Sequence, residues 1–147
     1  MKIIVTKNVK EYREAARKYV SPDDNVIEIG CASGGTTRII SKIARKVLAI
    51  DKSESELERA KERLSNSRNI IFKCMDAFNV REILEIVRTE LNGKVDIVMI
   101  DIGGVEDPAK VLSLARKYLI VFKPKLIIIK NKLLLDFISK CTTWTSK

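Results

Sequence analysis

Four acids and one glycine turn carry the residue types best suited to chemistry. The turn is Gly30-Cys31-Ala32-Ser33-Gly34-Gly35, followed by Thr36 and Thr37. Its glycines permit positive φ and close approach of backbone to a ligand. It follows Val26-Ile27-Glu28-Ile29, an apolar run that reads as a buried parallel strand. A helix beginning at Thr36 turns its free N–H groups back on the turn, the strand–turn–helix geometry that holds nucleotide-like ligands. The spacing is G-x-x-x-G-G, not the G-x-G-x-x-G of dinucleotide-binding turns, and there is no phosphate-loop lysine.

The other acids fall at strand ends. Residues 46–50 predict a second strand ending in Asp51, about 20 residues past the turn, where an acid suits the two hydroxyls of a ribose. Residues 69–74 predict a third strand leading to Asp76-Ala77, and 94–100 a fourth ending in Asp101. Successive strands thus bring aspartates to one carboxyl edge.

This order resembles the class I S-adenosylmethionine-dependent methyltransferases over residues 20–130. Glu28-x-Gly30 with Gly34-Gly35 is similar to their first motif. The resemblance implies S-adenosylmethionine as cofactor, held by Glu28, Gly30, Cys31, Ala32, Ser33, Gly34, Gly35, Asp51, Lys52, Asp76, Ala77 and Asp101. It sets Asp51 on the cofactor ribose, Asp76-Ala77 beside the adenine, and Asp101 near the methyl group.

A finer resemblance is to the ribose 2′-O-methyltransferases of RNA. The turn resembles the fibrillarin motif G-A-A-S-G-T-T with one extra glycine, and the A-P-G-G turn of heat-shock ribosomal RNA methyltransferases. Both groups use a lysine–aspartate–lysine set, which implies catalytic roles for Asp101, Lys130 and an upstream lysine. Lys7 is nearest by spacing; Lys10 and Lys18 are alternatives. Such a set is chemically apt: a ribose hydroxyl is a poor nucleophile while protonated, and a desolvated lysine beside a carboxylate assists it. There are departures. Fibrillarin relatives lack the acid at Glu28. Asp101-Ile102-Gly103-Gly104 is not the N-P-P-Y motif of amino-group methyltransferases. The fourth member of the ribose-enzyme set, normally downstream, is not placed by the resemblance. Alternatives are a class I methyltransferase acting on a small molecule or protein, and a cofactor-binding module without catalysis.

The 147 residues predict a single domain, with 46% hydrophobic and 32% charged residues, as in soluble globular chains. No apolar run approaches a membrane span and residues 1–7 do not read as a signal peptide, which predicts a cytoplasmic protein. Histidine is absent, which excludes the usual triads, and three cysteines without C-x-x-C spacing argue against zinc or any other metal centre. A chain without glutamine and rich in Lys, Arg, Glu and Ile has the bias of heat-adapted proteins. The net charge of +9 suits a polyanionic partner, most naturally RNA.

The remaining elements must position that edge. Residues 1–5 predict an edge strand or an arm. Residues 8–20 predict a helix with Val9, Tyr12, Ala16 and Tyr19 inward and a basic face of Lys7, Lys10, Arg13 and Arg17, diluted by Glu11 and Glu14, that is either a solvated face or a contact for RNA phosphates. Further helices are predicted over 36–44, over 53–64 after an S-x-x-E capping box, over 79–91, and after Asp107-Pro108 with Val111, Leu112, Ala115 and Leu119 inward. Residues 126–129 predict a fifth strand, and Leu133, Leu134, Phe137, Ile138 and Cys141 a last helix. Strand alternating with helix calls for an α/β, Rossmann-like doubly wound parallel sheet, order 3-2-1-4-5. The antiparallel strand pair usual in this family has no room after residue 131. The fifth strand is therefore predicted to be an edge, covered by the last helix or by a second copy in a homodimer.

Overall fold

The computed structural model describes residues 1–147. Its strands are β1 (Lys2–Thr6), β2 (Asn25–Ile29), β3 (Lys46–Asp51), β4 (Ile70–Cys74), β5 (Ile97–Ile100) and β6 (Leu126–Lys130). The helices are α1 (Val9–Tyr19), α2 (Gly35–Ser41), α3 (Glu54–Arg63), α4 (Val80–Glu90), α5 (Pro108–Phe122) and α6 (Lys132–Ile138). All strands lie in one parallel sheet of order β1-β6-β5-β2-β3-β4. From β2 to β6 this is the predicted order 3-2-1-4-5; β1 is added beyond it.

That addition corrects the predicted edge. Leu126–Lys130 is an interior strand, paired with β5 on one side and with Lys2–Thr6 on the other. A second copy therefore has no free strand to pair with at β6. The sheet's edges are β1 and β4.

Strands buried on both faces are largely apolar, and β2, β5 and the first four residues of β6 are buried at every position, with Asn25 and Glu28 of β2 the polar exceptions. Their side chains alternate between two cores. Val26, Val47, Ile97, Met99 and Ile128 meet Tyr12, Ala16, Ile40 and Leu57 of α1, α2 and α3. Ile27, Leu48, Ile100 and Ile127 meet Ile83, Val87, Leu114, Tyr118 and Leu134 of α4, α5 and α6. Fully burying one such aliphatic side chain contributes about 1.5–3 kcal/mol.

Side chains start the helices as the sequence implies. Asn8, Ser53, Asp107 and Asn131 accept from backbone N–H groups in the first turns of α1, α3, α5 and α6. Asn92 and Gly93 take positive φ and stop α4. In α5 the buried stripe is Val111, Leu114, Ala115 and Tyr118, so Leu112, predicted inward, is instead exposed. In α6 only Leu134 is buried; Leu133, Phe137 and Ile138 face outward. No helix is long and apolar enough to cross a membrane.

Candidate active site

The carboxyl edge of the sheet gathers the predicted acids around the turn between β2 and α2. Gly30 takes φ 78°, and a Cβ there would overlap the main-chain carbonyl of Asp101. Only glycine lets the ends of β2 and β5 come this close. Ala32 is also left-handed, at φ 46°, which is uncommon for a residue with a side chain. Its N–H donates to Asp51 Oδ2 at 2.8 Å, which holds the turn in that conformation.

Asp51 ends β3 and also accepts from Ser53 N at 2.9 Å. Asp51 thus takes the Ser53 amide, while the Ser53 hydroxyl caps α3 by accepting from Glu56 N at 3.3 Å. Asp76, past β4, accepts from Phe78 N at 2.9 Å through Oδ1. The adjoining Ala77 carbonyl accepts from the buried Tyr118 hydroxyl at 2.8 Å, a brace from α5 that no sequence motif signals. Burial drives the Tyr118 hydroxyl well above its ordinary pKa, which keeps it a donor.

Asp101, at the end of β5, and Lys130, at the end of β6, come together as predicted. Lys130 Nζ lies 2.9 Å from Asp101 Oδ2, with side chains 18% and 21% exposed. Lys7 reaches the same edge, since its neighbour Thr6 pairs in register with Lys130. It is paired with Glu11 at 3.9 Å rather than with Asp101, and is 55% exposed. Lys10 is exposed, and Lys18 lies against the Tyr19 ring.

Glu28 is buried in the middle of β2 and accepts from the Thr37 hydroxyl. Burial raises its pKa to about 7, against the opposing Thr37 hydrogen bond. Cys31 is buried as well, and burial and the neighbouring acids push its thiol up, so it is a poor nucleophile at neutral pH. No group of three or more Cys, Asp or Glu side chains is placed to hold a metal ion.

Two cavities flank the turn and meet at Gly30, Ala32 and Asp101. One, of about 370 Å³, is lined by Asp51, Lys52, Met75, Asp76, Ala77 and Phe78. The other, of about 590 Å³, is lined by Tyr12, Arg13, Glu28, Cys31, Ser33 and Gly35, with Arg38, Lys42 and Arg63 at its rim. The four basic residues here are not a sequence motif; α1, α2 and α3 each contribute. Arg63 donates to the Ser33 carbonyl and hydroxyl at 3.1 Å. Arg13, predicted on an outward RNA face, instead turns in and donates to Thr36 Oγ1 at 3.1 Å.

Residues 9–142 match the model of the FtsJ-like methyltransferase family. The chain belongs to that family. Its fold is that of the S-adenosylmethionine-dependent methyltransferases. A curated relative, protein-L-isoaspartate O-methyltransferase of Pseudomonas fluorescens, is 37% identical over 59 residues, 39% of this chain and 28% of that protein. The chain thus matches less than a third of that relative's length. An rRNA methylase from Streptococcus thermophilus superposes with TM-score 0.65 at 16% identity, covering 93% of this chain and 81% of the other. A Streptococcus mutans protein in complex with SAH gives 0.62 at 16%, covering 95% and 85%. At such identities the likeness is one of fold.

The edge fits S-adenosylmethionine in this FtsJ-like methyltransferase. The smaller cavity pairs apolar walls with two carboxylates, each bound by main-chain amides and each with acceptor capacity left. The larger one holds a buried acid and unpaired cations.

Proposed function

We propose that the chain transfers the methyl group of S-adenosylmethionine to a ribose 2′-hydroxyl of RNA. The observation that carries this is the half-buried Lys130–Asp101 pair beside the junction of the two cavities. Bound there, S-adenosylmethionine supplies an electrophilic methyl group on a sulfonium. Asp51 accepts from the two cofactor ribose hydroxyls and Asp76 from the adenine amine, with Ala77 beside the ring and Lys52 at the cavity's outer wall. Residues 30–35 wrap the methionine end, and Glu28 receives its ammonium.

The protein's share of the chemistry is positioning and electrostatics. Methyl transfer is an in-line displacement, so the acceptor oxygen must be held close and aligned. Lys130 is the group for this: its amine holds that oxygen, the O–CH3 bond forms as the S–CH3 bond breaks to leave a neutral thioether, and the hydroxyl proton passes to the Lys130–Asp101 pair. Asp101 accepts from Lys130 Nζ at 2.9 Å and so orients it in a site partly screened from water. Lys7 stands at the same edge, exposed, and contacts the phosphate next to the target ribose.

The outer face suits a polyanion. Lys10 and Arg17 of α1 and Arg38, Lys42 and Arg63 around the larger cavity form no salt bridge. Cations without acidic partners on one side of a site attract a phosphate backbone. Incubating the protein with a radiolabelled methyl donor and bulk RNA, then digesting with nuclease, tests the assignment. Label recovered on 2′-O-methylnucleosides is the expected result. Label on a base, or none in RNA, rules the ribose acceptor out.

A further inference from the structure

Of the two edges of the sheet, β1 is the unguarded one. Natural edges are commonly protected by a lysine within the strand, a proline or a bulge. The β4 edge carries Lys73 within its run. The β1 edge reads Lys2-Ile3-Ile4-Val5-Thr6, with its one charge at the end. Lys2 Nζ is turned aside, donating to the Tyr19 hydroxyl at 3.1 Å.

The β1–β6 ladder leaves a defined set of main-chain groups free. Lys2 N donates to Lys125 O, and Thr6 O accepts from Asn131 N, so Lys2, Ile4 and Thr6 face β6 with their main chain. By the period of two, Ile3 and Val5 turn their N–H and C=O groups outward, where no strand meets them.

The side chains of the same two residues enter an apolar groove of about 500 Å³ between α5 and α6. Leu112, Leu119, Leu134 and Ile138 line it with them, and Arg116 is its one charged wall. Ile3 is 49% exposed, and Leu112, Phe137 and Ile138 are exposed beside it. The uncovered parts of these four amount to on the order of 400 Å² of apolar surface. A stable interface buries about 800 Å² per partner, little more than half of it apolar. This flank supplies that apolar share.

The strand is complementary to itself. Antiparallel pairing about a two-fold axis through Ile4 sets Ile3 opposite Val5 of a second copy, and Val5 opposite that copy's Ile3. Every outward N–H and C=O of the two residues then finds a partner. Lys2 falls opposite Thr6, so no like charges meet across the axis. The Ile3 and Val5 side chains of both copies lie on one face and join groove to groove. We propose that β1 and this groove form the isologous interface of a homodimer, with one sheet running through both copies.

Sedimentation of the nuclease-treated protein from about 1 to 100 µM chain tests it. A reversible monomer–dimer equilibrium is the expected result. Added salt holds or tightens it, because salt screens the repulsion between two chains of charge +9. Val5→Pro deletes an outward N–H and spares the β6 ladder, a place where an edge strand tolerates proline. It weakens the dimer roughly tenfold or more, since each copy loses a hydrogen bond. Ile3→Lys, at a half-exposed site that does not threaten the fold, weakens it at least as much, with circular dichroism and thermal melting as in the wild type. Ile4→Cys in a Cys74→Ser, Cys141→Ser background reads the register. Mild oxidation links its two copies, whose Cα atoms would lie about 4.5 Å apart across the axis. Lys2→Cys in the same background does not cross-link, because its own counterpart is out of reach.

A strict monomer over this range overturns the proposal. Blue-shifted emission from Trp144, the sole tryptophan and exposed in the structure, would show in that case that the chain's own tail covers the groove. A dimer that salt dissolves is held by charge and overturns it as well. So does a dimer that Ile3→Lys leaves intact, whatever Val5→Pro does, since the contact then lies elsewhere. Equal cross-linking of Lys2→Cys and Ile4→Cys rules out the two-fold register.

Discussion

On the β2–β3–β4 side of the sheet's edge, backbone grips the acids. Asp51 accepts from the amides of Ala32 and Ser53, and Asp76 from the amide of Phe78. On the β5–β6–β1 side, a side chain grips the acid: Asp101 is held by Lys130 at 2.9 Å, with only a long 3.4 Å contact from Gly103 N. Amides in a folded turn have no rotamers to lose, so the first arrangement is preorganised for recognition. A lysine has long, mobile reach and can follow an acceptor as its charge changes. On the proposed function, recognition is built from main chain and chemistry from side chains, with Glu28 of β2 between the halves.

Breaking the side-chain half has the largest expected effect. Lys130→Ala lowers kcat by about 10²–10⁴-fold, the range for a positioned acid–base group, and leaves SAH affinity within about twofold. Single-turnover methylation beside calorimetry separates the two; parallel loss of both would place Lys130 in cofactor binding.

Glu28 comes next. Its folded pKa of about 7 stands above its ordinary 4.5, so the native state binds the extra proton between those values. Stability therefore falls as pH rises from about 4.5 to 7 and levels off above, by an amount on the order of 3 kcal/mol. Glu28→Gln should flatten that slope in urea denaturation at pH 5 and pH 8 and weaken SAH binding at pH 8. An unchanged slope would show that Glu28 does not titrate in this range.

Breaking the backbone half costs less. Asp51→Ala removes charge-assisted hydrogen bonds of about 1.5–3 kcal/mol and should weaken SAH by a similar free energy, measured by calorimetry. Unaltered affinity would remove Asp51 from the cofactor site.

The smallest effect is on the outer face. Neutralising Lys10 or Arg17 should weaken RNA binding a few-fold and lower the salt slope by about one unit at most, with SAH affinity untouched. Binding measured across a salt series reads both quantities; a slope that does not change would take α1 off the RNA path.

These halves were not equally legible in sequence. Apolar runs that end in Asp51 and Asp101 show their strands because a doubly covered parallel strand leaves no polar alternation to misread, and the half-buried edge strand before Asp76 still shows through Ile70, Ile71 and Phe72. Lys130 was visible for the same reason, as the charge ending Leu126–Ile129. The roles of Tyr12, Arg13 and Arg63 were not visible. Tyr12 fits a core stripe and Arg13 a solvated face; only the packing of α1 against α2 brings them to the turn. Tyr118 was hidden by a one-position error in the α5 stripe, where Leu112 has the same apolar character as Val111. Residues 2–6 are ambiguous because so short a run, exposed at Lys2 and Ile3 and buried only at Thr6, suits an arm as well as a strand. Their partner lies at the opposite end of the chain.

That distant pairing has a consequence for the order of assembly. β1 hydrogen-bonds only to β6, so Lys2–Thr6 stays unpaired during synthesis until Leu126–Lys130 has left the ribosome. Contacts this far apart in sequence carry the largest loop-closure entropy and form late. Strands β2, β3 and β4 are consecutive neighbours and can zip earlier. The nascent chain is thus expected to complete the β2–β3–β4 half before the β5–β6–β1 half, with β1 sealing the sheet last.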